Sequence, residues 1–426
     1  MFTSATHPAG RGPRPGTVET ISLLAALMAL NAIAIDAMIP ALPAIGAALN
    51  VADANHRQLV IVAYTFGFGV GQLLWGPLAD RFGRKPVLAV GIALYAGFAL
   101  LCTAAESFPL LIAARMCQGA SAAATRVLVV AMVRDLFDGE AMARVMSLVF
   151  MVFMLVPVLA PSLGQGILLV GPWQWIFFAF ALYAAILAAW ALIRLPETLH
   201  PDYRRTLNPR DLWDAARQVV TDRQSIGYTL AQTAIFAGLV AYISSIQQIV
   251  FDAFHRPGAI GWVFAAVAAP MALASFANSR LVGRYGMRRV GHLGVVAVLA
   301  LASLHALLAA TTSETLVRFV VMQGLVMGAF AFTSSNLNTL AMEHMAPIAG
   351  IASSIQGVIS TILAAIAGFA IGQQFDGTPL PFLIGLALCA AVGAVAVVLT
   401  DPRRLFERLK PGEDPLEENC LAAAEC

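Results

Sequence analysis

The sequence predicts an all-α membrane protein, with twelve transmembrane helices divided between two related six-helix bundles. Composition is the first reason, because 59% of the 426 residues are hydrophobic, 12% are charged and the mean hydropathy is +0.80. A soluble domain carries about 25% charged residues, so half of that charge indicates a surface that does not face water. The second reason is a series of long apolar stretches, and the third is one long polar segment midway along the chain.

The apolar stretches are long enough to cross the hydrocarbon core, which takes about 20 residues in a helix. They must be helical, because the open edges of a sheet would leave unsatisfied backbone groups in lipid. The first stretch is too long for a cleaved signal peptide, carries Asp36 and lacks a small-residue cleavage site. In chain order the predicted spans are residues 20–48, 57–79, 86–105, 109–133, 144–170, 173–194, 224–250, 259–282, 290–310, 314–341, 347–373 and 379–399.

Polar segments set the predicted domain boundaries. A Pro- and Gly-rich start predicts a disordered N-terminus, and a polar end predicts a tail. The longest polar stretch between spans predicts a linker with a short amphipathic helix near residues 211–220. The five segments are the N-terminus at 1–18, an N-terminal bundle at 19–194, the linker at 195–223, a C-terminal bundle at 224–399 and the tail at 400–426.

Basic residues predict the orientation of these segments in the membrane. With the N-terminus in the cytoplasm, 21 of the 26 Lys and Arg residues fall in cytoplasmic segments, and only Arg57 and Arg256 fall in outside loops. Because cytoplasmic loops retain positive charge, both termini are expected in the cytoplasm. The net charge of +2 gives no reason to expect a nucleic-acid partner. The five cysteines form no CxxC motif or Cys/His cluster, so the sequence predicts no disulfide framework and no metal site.

A repeat at a fixed offset supports two related halves. Several residues recur 203 positions later without a gap, which is not expected by chance. The pairs are Arg81 and Arg284, Gly83 and Gly286, Arg115 and Arg318, and Glu140 and Glu343. Membrane carriers are often built from such repeats, with the substrate site at the interface between them.

The most specific motif is the turn at residues 76–85, with the sequence GPLADRFGRK, which we call the latch loop. Gly76 allows a close helix approach, Asp80 can pair with Arg81 or Arg84, and Gly83 permits a tight turn. A charged contact of this kind can exist in one conformation and break in another, and so bias a two-state equilibrium. The string resembles the signature loop of the major facilitator superfamily, whose role is conformational.

A second motif lies in the fourth span, where Arg115-Met-Cys-Gln118-Gly119 resembles the RxxQG motif of drug:proton antiporters. An arginine inside hydrocarbon needs a partner or a wet cavity, although Arg115 could also snorkel to the outer interface. Arg126 lies eleven residues further along, on nearly the same helix face and about 16 Å away. This pair of cations predicts a hydrophilic cavity, and a structural role for Arg126 near the inner end of the span is equally compatible with the sequence.

Asp36 is the one carboxylate well inside the first span. Burial favours the protonated form of a carboxyl group and a nearby cation favours the ionised form, so a balance lets such a group exchange protons near neutral pH. Asp36 is therefore the predicted proton carrier, with Arg115 as the cation that adjusts its proton affinity. The alternative is a residue at a helix end, because Pro40 and Pro43 are expected to bend or end the helix.

The fifth span contains two prolines and two glycines, at Pro157, Pro161, Gly164 and Gly166. Such residues are expected to break the regularity of the helix, which is tolerated where neighbours satisfy the backbone. The segment resembles the fifth-helix antiporter motif, which that family associates with export, although Gly164-Gln-Gly166 stands where the family has a Gly-Gly pair.

Further candidates for a substrate cavity are aromatic and amide side chains inside the spans. Packing against neighbouring helices explains each of them equally well, as it does His305, which we expect to be packed and neutral rather than titrating. The candidates are Gln118, Arg126, Tyr64, Phe153, Phe236 and Gln247.

With the strings VRDLF at 133–137, WQWIF at 173–177 and LPET at 195–198, these motifs resemble the bicyclomycin-resistance (Bcr/CflA) branch of the drug:proton antiporters. The resemblance is strong over residues 36–199 and diffuse over residues 224–400. Gln174 departs from the Arg usual in the family, and Gly283 stands where the first half has Asp80. The resemblance implies the major facilitator fold and a carrier of the bacterial inner membrane that exports small drug-like molecules in exchange for protons. We expect a monomer that needs no cofactor besides the coupling proton.

Other function classes fit the sequence less well. A carrier of the same fold could import a nutrient or an organic anion, but Asp36 and the fifth-span pattern favour export. No Walker motif, metal-ligand cluster or GxSxG elbow indicates an enzyme, and no pore-loop segment indicates a channel. In the expected cycle the substrate binds between two rocking halves, Asp36 carries the proton, and the latch loop holds the outward-facing state.

Overall fold

The computed structural model describes residues 16–137, 139–199 and 209–406. Within these ranges the regular structure is helical, and no strand is present. The N-terminus predicted to be disordered and the predicted tail fall mostly outside the described residues. We number the helices of more than ten residues from α1 to α13.

Six long helices precede the linker and six follow it. The first set is α1 Thr17–Asp36, α2 Leu59–Phe82, α3 Arg84–Thr103, α4 Phe108–Leu136, α5 Gly139–Val170 and α6 Gln174–Arg194. The linker carries α7 Pro209–Thr221, which coincides with the predicted amphipathic helix. The second set is α8 Arg223–Gln248, α9 Ile260–Tyr285, α10 Met287–Thr311, α11 Leu316–Met342, α12 Ala349–Gly372 and α13 Leu380–Thr400.

Eleven of these helices are long and apolar enough to cross a membrane. The remaining one, α5, is continuous over 32 residues and includes an apolar stretch at Val158–Val170. The prediction of an all-α protein with a membrane-spanning set of helices is therefore confirmed. We call the side of the bundle that carries α7 the inner side, and the opposite side the outer side.

The prolines of the first and fifth spans have different effects. The first span ends as an α-helix at Asp36 and continues through a 3₁₀ turn at Ile39–Ala41 into a short helix at Leu42–Ala48. Pro40 and Pro43 occupy the first turns of those two short elements, where a missing N–H is tolerated, as predicted.

The expected break in the fifth span is wrong, because α5 remains helical across Pro157 and Pro161. Each proline removes one N–H from the hydrogen-bond ladder. Breaking the helix further would leave more polar backbone groups unsatisfied in an apolar environment. The rest of the ladder is therefore kept.

The two halves repeat the same local structure where the sequence offset predicts it. Gly83 ends α2 with φ +102°, and Gly286 ends α9 with φ +85°, both in a region that favours glycine. The contacts between the halves also occur in a symmetric pair. Helix α2 packs against α12, and α9 packs against α5.

Glycines bring α2 and α4 into close contact within the first half. A Cβ added at Gly67 would overlap the Met116 carbonyl oxygen, and one added at Gly119 would overlap that of Tyr64. At Gly76, by contrast, a Cβ would only meet Val127 at 3.8 Å, an ordinary contact. The close approach predicted at Gly76 is wrong, because an added Cβ would fit there without displacing a neighbour.

Candidate functional site between the two halves

The outer side of the interface between the halves is closed by a network of amide side chains. We call it the outer gate and define it by Asn55, Gln58, Gln248, Gly372, Gln373 and Phe375. The Asn55 Nδ2 donates to the carbonyl oxygens of Gln373 and Phe375, each at 3.1 Å. In return, the Gln373 Nε2 donates to the Asn55 carbonyl at 2.9 Å.

Gln248, at the outer end of α8, links the Asn55 and Gln58 side chains to each other. Its Nε2 donates to the Asn55 Oδ1 at 2.6 Å, and its Oε1 accepts from the Gln58 Nε2. Gln58 also donates to the Gly372 carbonyl at 3.1 Å and is almost fully buried. The gate thus joins the segment before α2 to α8 and α12 of the other half.

The inner side of the interface has no such network in the described part of the chain. Apart from Gln165, which donates to the Pro257 carbonyl on the outer side, the remaining hydrogen bond between the halves runs from Gln72 of α2 to Thr361 of α12 at 3.2 Å. Gln72 lies ten residues from the inner end of α2, or about 15 Å at the helical rise. The described hydrogen bonds between the halves are therefore concentrated on the outer side, with one more at mid-depth and none nearer the inner end.

Asp36 lies beneath the outer gate at the interface between the halves. It is 3% exposed, and its Oδ1 has no hydrogen-bond partner among the described residues. The 3₁₀ turn that follows it packs against α8. From α8, the Tyr242 hydroxyl lies within electrostatic range of the Asp36 carboxyl and also lacks a partner among the described residues. Both polar groups are thus buried at the interface without a hydrogen-bond partner among the described residues.

The surroundings of this pair are aromatic and apolar. The Tyr242 ring packs against Phe264 at 5.6 Å and Phe382 at 6.4 Å between centroids. An ionised carboxylate without a partner is costly in such an environment. The alternative interpretation of Asp36, a residue at a helix end beside a turn, fits its position as the last residue of α1, and this helix end is buried.

Gly164 of the fifth-span motif lies directly against the residue that follows Asp36. A Cβ at Gly164 would overlap the Ala37 carbonyl oxygen, so α5 can approach α1 at this point only because the residue is glycine. A Cβ at Gly166 would meet nothing within 4 Å. Of the two glycines in the motif, Gly164 is therefore the one that packs. The predicted Pro157 and Phe153 lie on the same helix, and their side chains are outside the described residues.

Arg115 is fully buried inside the first half, so snorkelling to the outer interface is wrong. Its guanidinium donates to the backbone carbonyls of Val60 and Ala34, each at 3.1 Å, and to the Gln118 Oε1 at 2.8 Å. It also lies 4.3 Å from the centroid of the Tyr64 ring. Arg115 therefore ties α4 to α1 and α2.

This arrangement corrects the roles expected of three residues. Among the described residues Arg115 forms no ion pair with Asp36, and it reaches α1 through the Ala34 carbonyl. In this conformation, no described contact lets the Arg115 guanidinium adjust the proton affinity of Asp36 directly. The structure also does not place Tyr64 or Gln118 in a cavity, because both are fully buried. The Tyr64 hydroxyl donates to Asn31 at 3.0 Å, and Gln118 holds Arg115.

The remaining cavity candidates lie in different environments. Arg126 is exposed, and its guanidinium lies 5.8 Å from the centroid of the Phe68 ring. Phe236 is half-buried on α8. Gln247 is fully buried beside the outer gate, and neither its Oε1 nor its Nε2 has a partner among the described residues. Of these three candidates, Arg126 is the charged residue, and its side chain is exposed.

The latch loop makes its described ionic contacts within the first half. Arg84 is buried, and its guanidinium pairs with Asp80 at 2.6 Å and with Asp135 at 3.2 Å. Glu197 accepts from the backbone N–H groups of Arg84 and Lys85, at the start of α3. Arg81 is exposed. The predicted hold on the outward-facing state stays a prediction.

The second half contains a matching cluster that the sequence did not reveal. Arg288, at the start of α10, is buried and pairs with Glu343 at 3.0 Å and with Asp401 at 2.7 Å. Its partners come from the ends of α11 and α13, so the cluster fastens three helices on the inner side. The fixed offset misses it, because the residue 203 positions after Arg84 is Met287.

Another cluster lies on the outer side of the second half. His305 is fully buried, with its Nε2 3.6 Å from Glu314, whose carboxylate pairs with Arg318 at 2.7 Å. Arg318 therefore braces the first turn of α11, although the offset pairs it with the fully buried Arg115. Among the described residues, no three His, Cys, Asp or Glu side chains converge as metal ligands.

Comparisons with known proteins agree with this architecture. A sequence profile of the Major Facilitator Superfamily matches residues 24–252 and again residues 225–422. The bicyclomycin resistance protein homolog of Haemophilus influenzae is 28% identical over 389 residues, covering 91% of this chain and 97% of that protein. The multidrug resistance protein MdtL of Escherichia fergusonii is 27% identical over 388 residues, covering 89% of this chain and 95% of the relative. The crystal structure of a D-xylose-proton symporter shares the fold, with a TM-score of 0.69 at 13% identity over 90% of this chain and 97% of that chain.

Proposed function

The chain belongs to the Major Facilitator Superfamily, and on that premise we propose that it exports small drug-like molecules across the bacterial inner membrane in exchange for protons. Family membership makes it a multi-pass membrane carrier rather than an enzyme. The names of two relatives, bicyclomycin resistance and multidrug resistance, support drug efflux as the direction and class of transport. In this proposal both termini lie in the cytoplasm, the carrier acts as a monomer, and the proton is its only coupling ion.

The observation that carries the proposal is the position of Asp36. The acid lies at the interface between the halves, buried beneath the outer gate and without a partner among the described residues. A carboxylate in this position stabilises the closed outer side when it is protonated and destabilises it when it is ionised, because an unpaired buried charge is costly. Protonation of Asp36 is thereby linked to closure of the outer side.

This linkage gives a sequence of steps in which the proton and the substrate alternate. Asp36 takes up a proton while the outer side is open, and the outer gate then closes over it. The inner side opens, the proton leaves to the cytoplasm, and the substrate enters between the halves. With Asp36 ionised, the closed outer gate is less stable, and the halves rock back to release the substrate outside.

The role of Asp36 is testable in inverted membrane vesicles. A susceptibility panel in an efflux-deficient host, with and without a protonophore, first identifies a transported compound. We then expect Asp36→Asn to abolish its proton-driven accumulation while counterflow without a pH gradient continues, because a neutral side chain still permits the halves to rock. Glu106→Gln is the matched control, since Glu106 is an exposed carboxylate in an outer loop.

Two outcomes would contradict the proposal. Proton-driven accumulation that survives in Asp36→Asn would show that another group carries the proton. Accumulation that is driven in the uptake direction in whole cells would replace export by import.

A further inference from the structure

Arg126 is a charged side chain inside the bundle that the proposed proton cycle does not use. It lies ten residues from the inner end of α4, about 15 Å at the helical rise. It is exposed, and its one described contact is the Phe68 ring of α2. An arginine at this depth without a partner requires water around it.

The face of α4 that carries Arg126 points to the opening between the halves. Arg134 lies eight residues further along α4, about 80° around the helix from Arg126, and its Nη1 is 3.7 Å from the position that a Cβ on Gly350 of α12 would occupy. On the other side of Arg126, the residue next to Phe68 is Gly69, where a Cβ would meet Ile362 of α12 at 2.9 Å. Along the helix axis, Arg126 therefore lies between two points at which the first half meets α12, and at about the depth of the Gln72–Thr361 hydrogen bond.

The same face of α4 is covered at one depth and open at another. At Arg115 it is sealed by the Ala34 and Val60 carbonyls of α1 and α2. Eleven residues further inward, Arg126 is exposed. The exposed position of Arg126 thus lies on the inner side of the part of α4 that α1 and α2 cover.

Among the described residues, no carboxylate forms an ion pair with Arg126. Apart from Asp214, which lies exposed on α7, each described acid of the inner side has a cation or a capping contact of its own: Glu19 with Arg194, Asp80 and Asp135 with Arg84, Glu197 with the start of α3, Asp222 with the Ser225 N–H and His344, and Glu343 and Asp401 with Arg288. Asp36, the unpaired acid of the interface, lies on the outer side with no ion pair to Arg126.

We infer that the inner-facing cavity recognises its substrate by an anionic group, a carboxylate or a similar oxyanion, which Arg126 binds. The guanidinium offers a planar set of donors that matches a carboxylate, and the Phe68 ring beneath it supports the cation from one side. A cationic compound would meet Arg126 and Arg134 instead and be repelled. This inference rests on the proposed function and narrows its substrate class to organic anions.

Equilibrium binding with three matched probes tests the inference. The full-length protein in lipid nanodiscs is dialysed against 7-methoxycoumarin-3-carboxylate, its neutral carboxamide and its cationic aminoethyl amide. We expect the carboxylate to bind most tightly. Arg126→Ala should weaken carboxylate binding by about tenfold or more and carboxamide binding by less than about twofold, whereas Arg126→Lys should keep part of the preference.

The control variant is Arg280→Ala, which removes an exposed arginine that lies over the Phe276 ring at 4.6 Å on the same helix. It should leave all three affinities unchanged, and thermal unfolding checks that each variant is folded. The inference is overturned if the wild-type protein binds the carboxylate no more tightly than the carboxamide. It is also overturned if Arg126→Ala weakens the three probes equally.

Proton-driven accumulation of the same probes in inverted vesicles separates the inference from the proposed function. If the carboxamide or the cation accumulates with protons while the carboxylate shows no Arg126-dependent binding, the proton-coupled export stands and the inference falls. If the carboxylate binds through Arg126 and a pH gradient drives none of the three probes, the anion site stands and the proposed function falls.

Discussion

The hydrogen bonds of the outer gate give an estimate of the free energy that keeps the outer side closed. Asn55→Ala removes three side-chain hydrogen bonds between the halves, two to the Gln373 and Phe375 carbonyls and one from Gln248. Each such bond contributes about 0.5–1.5 kcal/mol net, because water replaces it when the gate opens. Their loss should therefore destabilise the closed state by about 3 kcal/mol.

This magnitude is large enough to change which conformation dominates. A free energy of about 3 kcal/mol is a factor of roughly 150 in the equilibrium constant. A carrier that is closed on the outer side in about 99 of 100 molecules would become open in more than half of them. Gln58→Ala should act in the same sense, and its effect should not add fully to that of Asn55→Ala because both residues bond to Gln248.

Distances between spin labels on the two halves measure the shift. Labels at Glu106 and Thr312, in exposed outer loops of the first and second half, are introduced after replacement of the five native cysteines. We expect Asn55→Ala to populate a longer outer distance. Thr378→Ala is the control, because the hydrogen bond described for its hydroxyl is to Asp376 of the same loop. An unchanged distance distribution in Asn55→Ala, or an equal change in the control, would refute the reasoning.

Two further predictions follow from packing and buried charge. Gly164→Ala should reduce transport in vesicles by at least about tenfold, because the added Cβ would overlap the Ala37 carbonyl oxygen. Gly166→Ala on the same helix is the control and should leave transport unchanged. Equal transport activities of the two variants would contradict this prediction. Arg84→Ala should lower the stability in detergent by about 2 kcal/mol, because two carboxylates would lose their buried partner. Arg81→Ala, at an exposed site, should change stability by less than about 0.5 kcal/mol, and similar melting temperatures for these two variants would contradict the assignment.

Much of the fold could be predicted because lipid restricts the chain so strongly. Backbone groups must be satisfied within each span, so hydropathy alone locates the helices. The fixed offset then predicts local geometry, as the positive φ of both Gly83 and Gly286 shows. The prediction that the prolines would break α5 was wrong because it applied the behaviour of proline in water, where a freed carbonyl can hydrogen-bond to solvent. In an apolar environment the cheapest response is to keep the rest of the helix.

The site was only partly predictable, since some of its partners carry no sequence signal. Asp36 could be found because acids are rare inside spans. The partners of Arg115 could not, because two of them are backbone carbonyls on other helices. One signal was missed: Gly67 and Gly71, spaced four apart on α2, are the close-packing pattern that brings α4 near.

The outer gate could not be predicted from the sequence for a different reason. Asn and Gln in and around outer loops resemble ordinary solvated residues, and only the folded arrangement brings Asn55 and Gln373 together across the interface. The amide character of these residues also makes the outer gate insensitive to pH. Its described bonds join amides and backbone carbonyls, and none of these groups gains or loses a proton in the physiological range.

The gate and the acid therefore divide two tasks that a coupled carrier must perform. The amide network supplies affinity between the halves on the outer side, at any pH. Asp36 supplies the dependence on the proton, from a position where an unpaired charge is costly only while the outer side is closed. Tyr242 and Gln248 lie on the same helix, six residues or about 9 Å apart, so a change at the acid reaches the gate along one rigid element. A neutral side chain at position 36 keeps the gate and loses the proton dependence, which is why Asp36→Asn can separate rocking of the halves from its coupling to protons.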